Sequence, residues 1–178
     1  FRSLHPVDDY VRKIQTQFRT FFIGEGKVEE AVHRELISRK KTVSFAESCT
    51  GGSLAARLTA IPDASLFFSG SIVAYSDGWK ERFLGVRRDT LSRHGAVSRE
   101  TVEEMVRGLF DETECDYAVA ISGTLGPKGG TPKKPVGTVY LAIGERGKKI
   151  DIGHLNAPQD RNAGIEFAVQ TALGALWR

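Results

Sequence analysis

Eight consecutive residues, Ala46-Glu47-Ser48-Cys49-Thr50-Gly51-Gly52-Ser53, restrict the possible folds more than any other stretch. They follow Thr42-Val43-Ser44-Phe45, a β-prone and partly alternating run. They precede Leu54, Ala55, Leu58 and Ile61, apolar at helical spacing and stopped by Pro62. A buried strand over 42–46 therefore turns sharply into a helix through two glycines and three hydroxyl residues. Such a turn offers backbone N–H groups at a helix N-terminus, where an anion or a developing oxyanion is stabilised. It also sets a serine and a cysteine at the mouth of a sheet. The same residues equally describe an ordinary strand–helix turn with Ser53 as N-cap.

The rest of the chain alternates strand and helix signals. A helix over 27–40 has Val28, Ala31, Val32, Glu35 and Leu36 on its inner face. After a turn at Asp63-Ala64-Ser65, a strand is expected over 67–75, with Gly70 as a bulge candidate. A helix over 77–84 is closed by Gly85, and another over 88–93 by His94-Gly95. Ser98 caps the clearest helix, whose stripe is Val102, Met105, Val106, Leu109 and Phe110. The buried-type strand 117–121 empties into a second Gly-rich loop, Ser122 to Pro132. Strands over 136–143 and 149–155, joined by Gly144–Gly147, read as a hairpin. A last helix over 161–176 turns Ile165, Ala168, Val169, Ala172, Leu173 and Leu176 inward. This alternation predicts a layered α/β domain, and the late hairpin predicts a mixed, mostly parallel sheet.

Residues 1–25 differ in character. Val7, Val11, Ile14 and Phe18 fall at helical spacing, and Phe21-Phe22-Ile23 is an apolar run. That surface must pack on the main domain or on sequence outside this chain, so the domain is expected to begin at 26. The chain opens on Phe1 without a signal-peptide pattern, and reads as part of something longer.

Bulk properties exclude several classes. At 178 residues, 40% hydrophobic and 26% charged, the chain has globular values and can bury a proper core. A net charge of +3 with interspersed signs does not mark a nucleic-acid binder, and Arg39-Lys40-Lys41 reads as a solvated helix end. Cys49 and Cys115 have neither metal nor disulfide spacing, which favours a reducing cytosol. No stretch approaches the ~20 apolar residues of a membrane span. His5, His33, His94 and His154 form no pair with ligand spacing, so no metal is expected.

Two Gly-rich loops after buried strands would share one sheet edge if those strands run parallel, and ligands of open α/β sheets bind there. Neither is a nucleotide fingerprint: Gly123 to Gly130 lacks G-x-G-x-x-G spacing, and Gly144-Glu145-Arg146-Gly147-Lys148-Lys149 is too short for a phosphate-binding P-loop. Ser48 needs a base to act as nucleophile. Lys80, five positions after Tyr75, could be delivered to the same edge, and desolvation would lower its pKa. Lys80 also fits a solvated helix lysine, and Tyr75 a strand aromatic with its ring in the core. Cys49 is a second candidate nucleophile or a small buried hydrophobe. The G-x-S-x-G elbow of a Ser–His–Asp hydrolase is absent.

Ala46-Glu47-Ser48-Cys49-Thr50-Gly51-Gly52 resembles the signature of the CinA C-terminal domain, the nicotinamide mononucleotide deamidase family. The resemblance continues in order through Pro62-Asp63-Ala64-Ser65, Tyr75-Ser76 with Lys80, Leu84-Gly85-Val86 and Gly95-Ala96-Val97-Ser98. It ends with Ser122-Gly123, Gly126-Pro127, Gly129-Gly130 and Lys134-Pro135-Val136-Gly137-Thr138-Val139, covering roughly 27–177. It implies a three-layer α/β/α fold and cofactor-free, metal-independent hydrolysis of the nicotinamide amide to nicotinate mononucleotide and ammonia. The family's catalytic residues fall on Ser48, Tyr75 and Lys80. Lys80, directly or through Tyr75, would deprotonate Ser48. Backbone N–H groups around Thr50, Gly51 and Gly52 would stabilise the oxyanion, and Ser122, Gly123, Gly126, Gly129, Gly130 and Arg161 would hold ribose and phosphate. The resemblance further implies a cytoplasmic homodimer in pyridine nucleotide salvage. In full-length relatives a linker like 1–25 follows a molybdopterin-binding-like domain with ADP-ribose pyrophosphatase activity.

There are departures. Thr124-Leu125 replaces the usual Ile-Ala, which implies a changed pocket floor. Gly164-Ile165 offer no second arginine after Arg161, and Asp63 and Ser71 replace glycines. Two alternatives therefore stand beside the deamidase: a non-catalytic nucleotide-binding or dimerisation module, and a deamidase of another carboxamide.

Overall fold

The structure, a computed structural model, describes residues 26–177; the expected N-terminal linker, with its apolar stripe over 7–23, lies outside the described residues. Its elements run α1 (Val28–Arg39), β1 (Val43–Glu47), α2 (Ser53–Thr59), β2 (Phe68–Val73), α3 (Asp77–Leu84), α4 (Arg88–His94), α5 (Arg99–Glu112), β3 (Tyr117–Gly123), β4 (Thr138–Glu145), β5 (Asp151–Asn156) and α6 (Arg161–Trp177). A single 3₁₀ turn, Ala64–Leu66, leads into β2. The sheet order is β2-β1-β3-β4-β5. β1 pairs in parallel with β2 and β3, whereas β4 pairs antiparallel with β3 and β5. The mixed sheet agrees with the sequence, although its pairings divide evenly between parallel and antiparallel. The hairpin supplies one antiparallel pairing, since a short β4–β5 turn can join only antiparallel strands, and β4 lying antiparallel to β3 supplies the other.

Strand pleating separates two cores. On one face Val43 and Phe45 of β1, Val119 and Ile121 of β3, and Val139 and Leu141 of β4 meet α1, α2 and α6. Each large side chain buried there contributes roughly 1.5–3 kcal/mol. On the other face Ala46, Ala118, Ala120 and Ala142 meet Leu84 of α3, Leu91 of α4, and Val102, Met105, Val106 and Leu109 of α5. The result is three layers. The alanine face lets helices approach closely: a Cβ on Gly108 of α5 would overlap the carbonyl oxygen of Leu84, at the end of α3. Gly108 thus fixes where α3, and with it Lys80, sits against the sheet.

Element ends differ from the periodicity in informative ways. β1 runs one residue further than its apolar run, to include Glu47. β2 stops at Val73, leaving Ala74 and Tyr75 as a link into α3. The bulge anticipated near Gly70 is present, since the register steps from Val43↔Phe68 to Ser44↔Gly70. Ser98 caps α5 by accepting from the Thr101 N–H at 3.2 Å. β4 and β5 lie about two residues later than the hydrophobic runs suggested.

Candidate active site

The carboxyl ends of β1, β2 and β3 converge. The Ser48 N–H donates to the Ile121 carbonyl at 3.0 Å, and the Ala74 N–H to the Glu47 carbonyl at 2.9 Å. Ser48 therefore lies between the chain leaving β2 and the chain leaving β3. Its side chain falls on the alanine face, toward α3, while Glu47, one residue earlier, falls on the α2 face.

Lys80 crosses to meet Ser48. It sits in the first turn of α3, whose N-cap Ser76 accepts from the Trp79 N–H at 3.3 Å. The side chain is only 1% exposed. Its Nζ lies 3.2 Å from Ser48 Oγ, 2.8 Å from the Ala74 carbonyl and 3.3 Å from the Tyr75 carbonyl. Lys80 is thus no solvated helix lysine. Burial holds its pKa below the ordinary 10.5, against the opposing influence of Asp77 and Cys49. The three contacts suit both protonation states. An ammonium donates to all three oxygens; a neutral amine donates to the two carbonyls and turns its lone pair to the Ser48 hydroxyl proton.

Glu47 occupies the helix start that the sequence offered to a ligand. It is fully buried. Oε2 accepts from Thr50 Oγ1 at 2.8 Å and from the Gly52 and Leu54 N–H groups at 3.0 Å each. Oε1 accepts from the Ala55 N–H at 3.0 Å and from Ser71 Oγ at 3.1 Å. The anion at the α2 N-terminus is therefore the chain's own. The cap position is Gly52, left-handed with φ 99°, and not Ser53, whose hydroxyl donates back to the Thr50 carbonyl at 2.7 Å. The Gly51 N–H is also engaged, by the Ser48 carbonyl at 3.1 Å. Of the turn's donors, Cys49 and Thr50 N–H have no hydrogen-bond partner among the described residues.

Other expected site residues divide. Cys49 is buried in the α2-face core, and burial pushes its thiol up to about 12, which suits a neutral packing residue better than a nucleophile. Tyr75 is 60% exposed, which excludes a core ring. Its phenol accepts from Arg161 Nη2 at 3.1 Å, so only its carbonyl meets Lys80. Arg161, exposed at the start of α6, also donates through Nη1 to the Gly126 carbonyl at 3.0 Å. Ser122 is turned inward: its hydroxyl donates to the Ala96 carbonyl at 2.8 Å and fastens the segment before α5. Gly123 lies where a Cβ would press on Val139 and Cys49 Sγ, and Gly126 and Gly130 pack on Val136. Gly129 and Gly130 are exposed, as is Lys128 beside them. Leu125 is not a pocket floor; it is 2% exposed and packs in the core against Gly164, where a Cβ would crowd it. That contact leaves no room for a larger side chain at 164. The histidines stand apart, with His33 against Phe67, His154 against Tyr140 and His94 near Glu100.

A sequence model of the CinA C-terminal domain matches residues 25–178. This chain belongs to the CinA family. A CinA-like protein of Thermotoga maritima is 50% identical over 141 residues, covering 78% of this chain and 35% of that relative. One from Leptospira borgpetersenii is 40% identical over 171 residues, covering 96% of this chain and 40% of the relative. The chain thus spans well under half the length of these CinA relatives. Among solved structures, a competence-damaged protein (CinA) superfamily protein from Klebsiella pneumoniae superposes with a TM-score of 0.81 at 41% identity, covering 84% of this chain and 93% of that one. A competence/damage inducible protein from Agrobacterium tumefaciens gives 0.81 at 36% identity, covering 85% and 94%. The CinA fold is therefore shared over nearly the whole of those chains. Among the described residues no helix is long and apolar enough to cross a membrane.

Proposed function

We propose that this chain hydrolyses the carboxamide of nicotinamide mononucleotide to give nicotinate mononucleotide and ammonia. The observation that carries the reading is the buried Lys80 amine, held 3.2 Å from Ser48 Oγ by two backbone carbonyls. Ser48 Oγ attacks the amide carbon while its proton passes to Lys80 Nζ. The carbonyl oxygen becomes an oxyanion facing the Cys49 and Thr50 N–H groups, each such donor being worth ~2.7–4 kcal/mol. As the tetrahedral adduct collapses, Lys80 returns the proton to the departing nitrogen and ammonia leaves. Water then adds to the Ser48 ester, its proton again taken by Lys80. Breakdown of that adduct restores the serine and releases the acid. Tyr75 serves through its carbonyl on Lys80 and its phenol on Arg161, not as a proton relay. Arg161 and the exposed loop 127–130 meet ribose and phosphate. In this reading the protein is a cytoplasmic, homodimeric enzyme of pyridine nucleotide salvage.

Purified protein should release ammonia from nicotinamide mononucleotide, and Lys80→Ala should not. Saturable binding of the mononucleotide without release would favour a non-catalytic module. The inward turn of Ser122 favours a second reading, in which the same pair acts on another carboxamide. Ammonia release from a different amide, but not from the mononucleotide, would select it.

A further inference from the structure

We propose that Glu47 is a positioning residue for Ser48: its buried carboxylate sets the nucleophile and the adjacent N–H groups before any substrate arrives. This rests on the reading of Ser48 as nucleophile. The two residues are neighbours on one strand, so the pleat sends them to opposite faces. On the α2 face, Glu47 gathers donors from Thr50, Gly52, Leu54 and Ala55, three to eight positions ahead in the chain. The segment from Ser48 to Gly51 is therefore tied at both ends to one side chain.

The fifth donor extends the grip to the base. Ser71 Oγ belongs to β2, the strand that ends two residues before Tyr75. Beyond that end, the Ala74 and Tyr75 carbonyls hold Lys80 Nζ. The Glu47 main chain reinforces the link by accepting the Ala74 N–H at 2.9 Å. One residue thus touches both the backbone that bears the nucleophile and the end of β2 that leads to the carbonyls holding the base. Its partners are fixed dipoles, with no mobile cation that must rearrange. Nucleophile and donors must be held to a tolerance on the order of 0.5 Å, and fixed partners of this kind are the means of holding them. The same carboxylate takes up N–H groups of α2 that would otherwise draw an anion, which leaves a substrate phosphate to the Arg161 side of the site.

The test reads Ser48 directly. Phenylmethanesulfonyl fluoride sulfonylates an activated serine: the Oγ–S bond forms, fluoride leaves and the hydroxyl proton passes to Lys80. The rate of Ser48 modification is followed by peptide mass in wild type and Glu47→Gln, far below either unfolding midpoint. Glu47→Gln should slow labelling by about 10- to 100-fold, the scale of an ångström-size misplacement. Ser71→Ala, which loses one hydroxyl donor and keeps the fold, should slow it by about two- to fivefold. A merely structural role would lower the unfolding midpoint but leave the labelling rate of folded protein unchanged. Wild-type rates in folded Glu47→Gln, or in Ser71→Ala should Glu47→Gln not fold, would overturn the positioning role alone. An unlabelled wild-type Ser48 would overturn the nucleophile reading and this inference together.

Discussion

Two buried charges flank the end of β1, and their surroundings are opposite. On the α2 face the Glu47 carboxylate accepts five hydrogen bonds, three of them from main-chain N–H groups. On the alanine face the Lys80 amine meets two carbonyls and one hydroxyl, and none of its ion pairs appears among the described residues. A buried charge costs several kcal/mol unless fixed groups replace its water. Glu47 has that replacement, since all five of its partners are donors fixed in the fold. Lys80 has contacts that its neutral form satisfies equally well, so it can give up a proton without breaking the site. Burial alone does not make a group reactive. What matters is whether the less solvated form is accommodated too.

Removing each charge should separate the two roles. Glu47→Ala strands three N–H groups at the start of α2 and should lower unfolding free energy by about 3–5 kcal/mol, measured by denaturant titration. Lys80→Met replaces an amine by an apolar chain of similar length. It should leave stability near neutral pH unchanged or slightly raised while reducing turnover by ~10²–10⁴-fold. Equal destabilisation by the two would mean that both charges are structural alike.

Protonation separates the two groups further. The folded-state pKa of Lys80 lies below its ordinary 10.5, so in the window between the two values the unfolded chain carries more protons than the folded one. Stability should therefore rise with pH in that window, relative to Lys80→Met. Turnover should rise with pH as the amine becomes neutral. A rate that falls as pH rises through this range would contradict the base. The smallest effect concerns Cys49. With its thiol pushed up to about 12, iodoacetamide should modify it far more slowly in folded than in unfolded protein near neutral pH.

Much of this architecture was legible in the residues. The 3.6- and 2-residue periodicities located the helices and strands, and the two Gly-rich loops marked the edge where β1 and β3 end. Chain position makes Lys80 one candidate partner for Ser48, since a strand ending near Tyr75 carries the following helix to that edge. A solvated helix lysine fits equally, and only the CinA resemblance selects between them. The role of Glu47 is harder to read from the residues. An acid after an apolar run reads as the end of a buried strand, and its partners depend on which side of the pleat it faces. The available signal was a carboxylate at the last strand position, without a nearby cation, shortly before a Gly-Gly helix start. The buried place of Leu125 is hidden for a similar reason, because its contact with Gly164 joins a loop to a helix far along the chain. Side-chain direction likewise decided Tyr75, whose phenol turns to Arg161.

The most direct test is to look for the ester itself. Wild-type protein would be mixed with nicotinamide mononucleotide, quenched in acid within one turnover, and digested for peptide mass. A nicotinate mononucleotide ester is expected on the peptide bearing Ser48, absent from Ser48→Ala. Turnover of the amide by Ser48→Ala at the wild-type rate would contradict it.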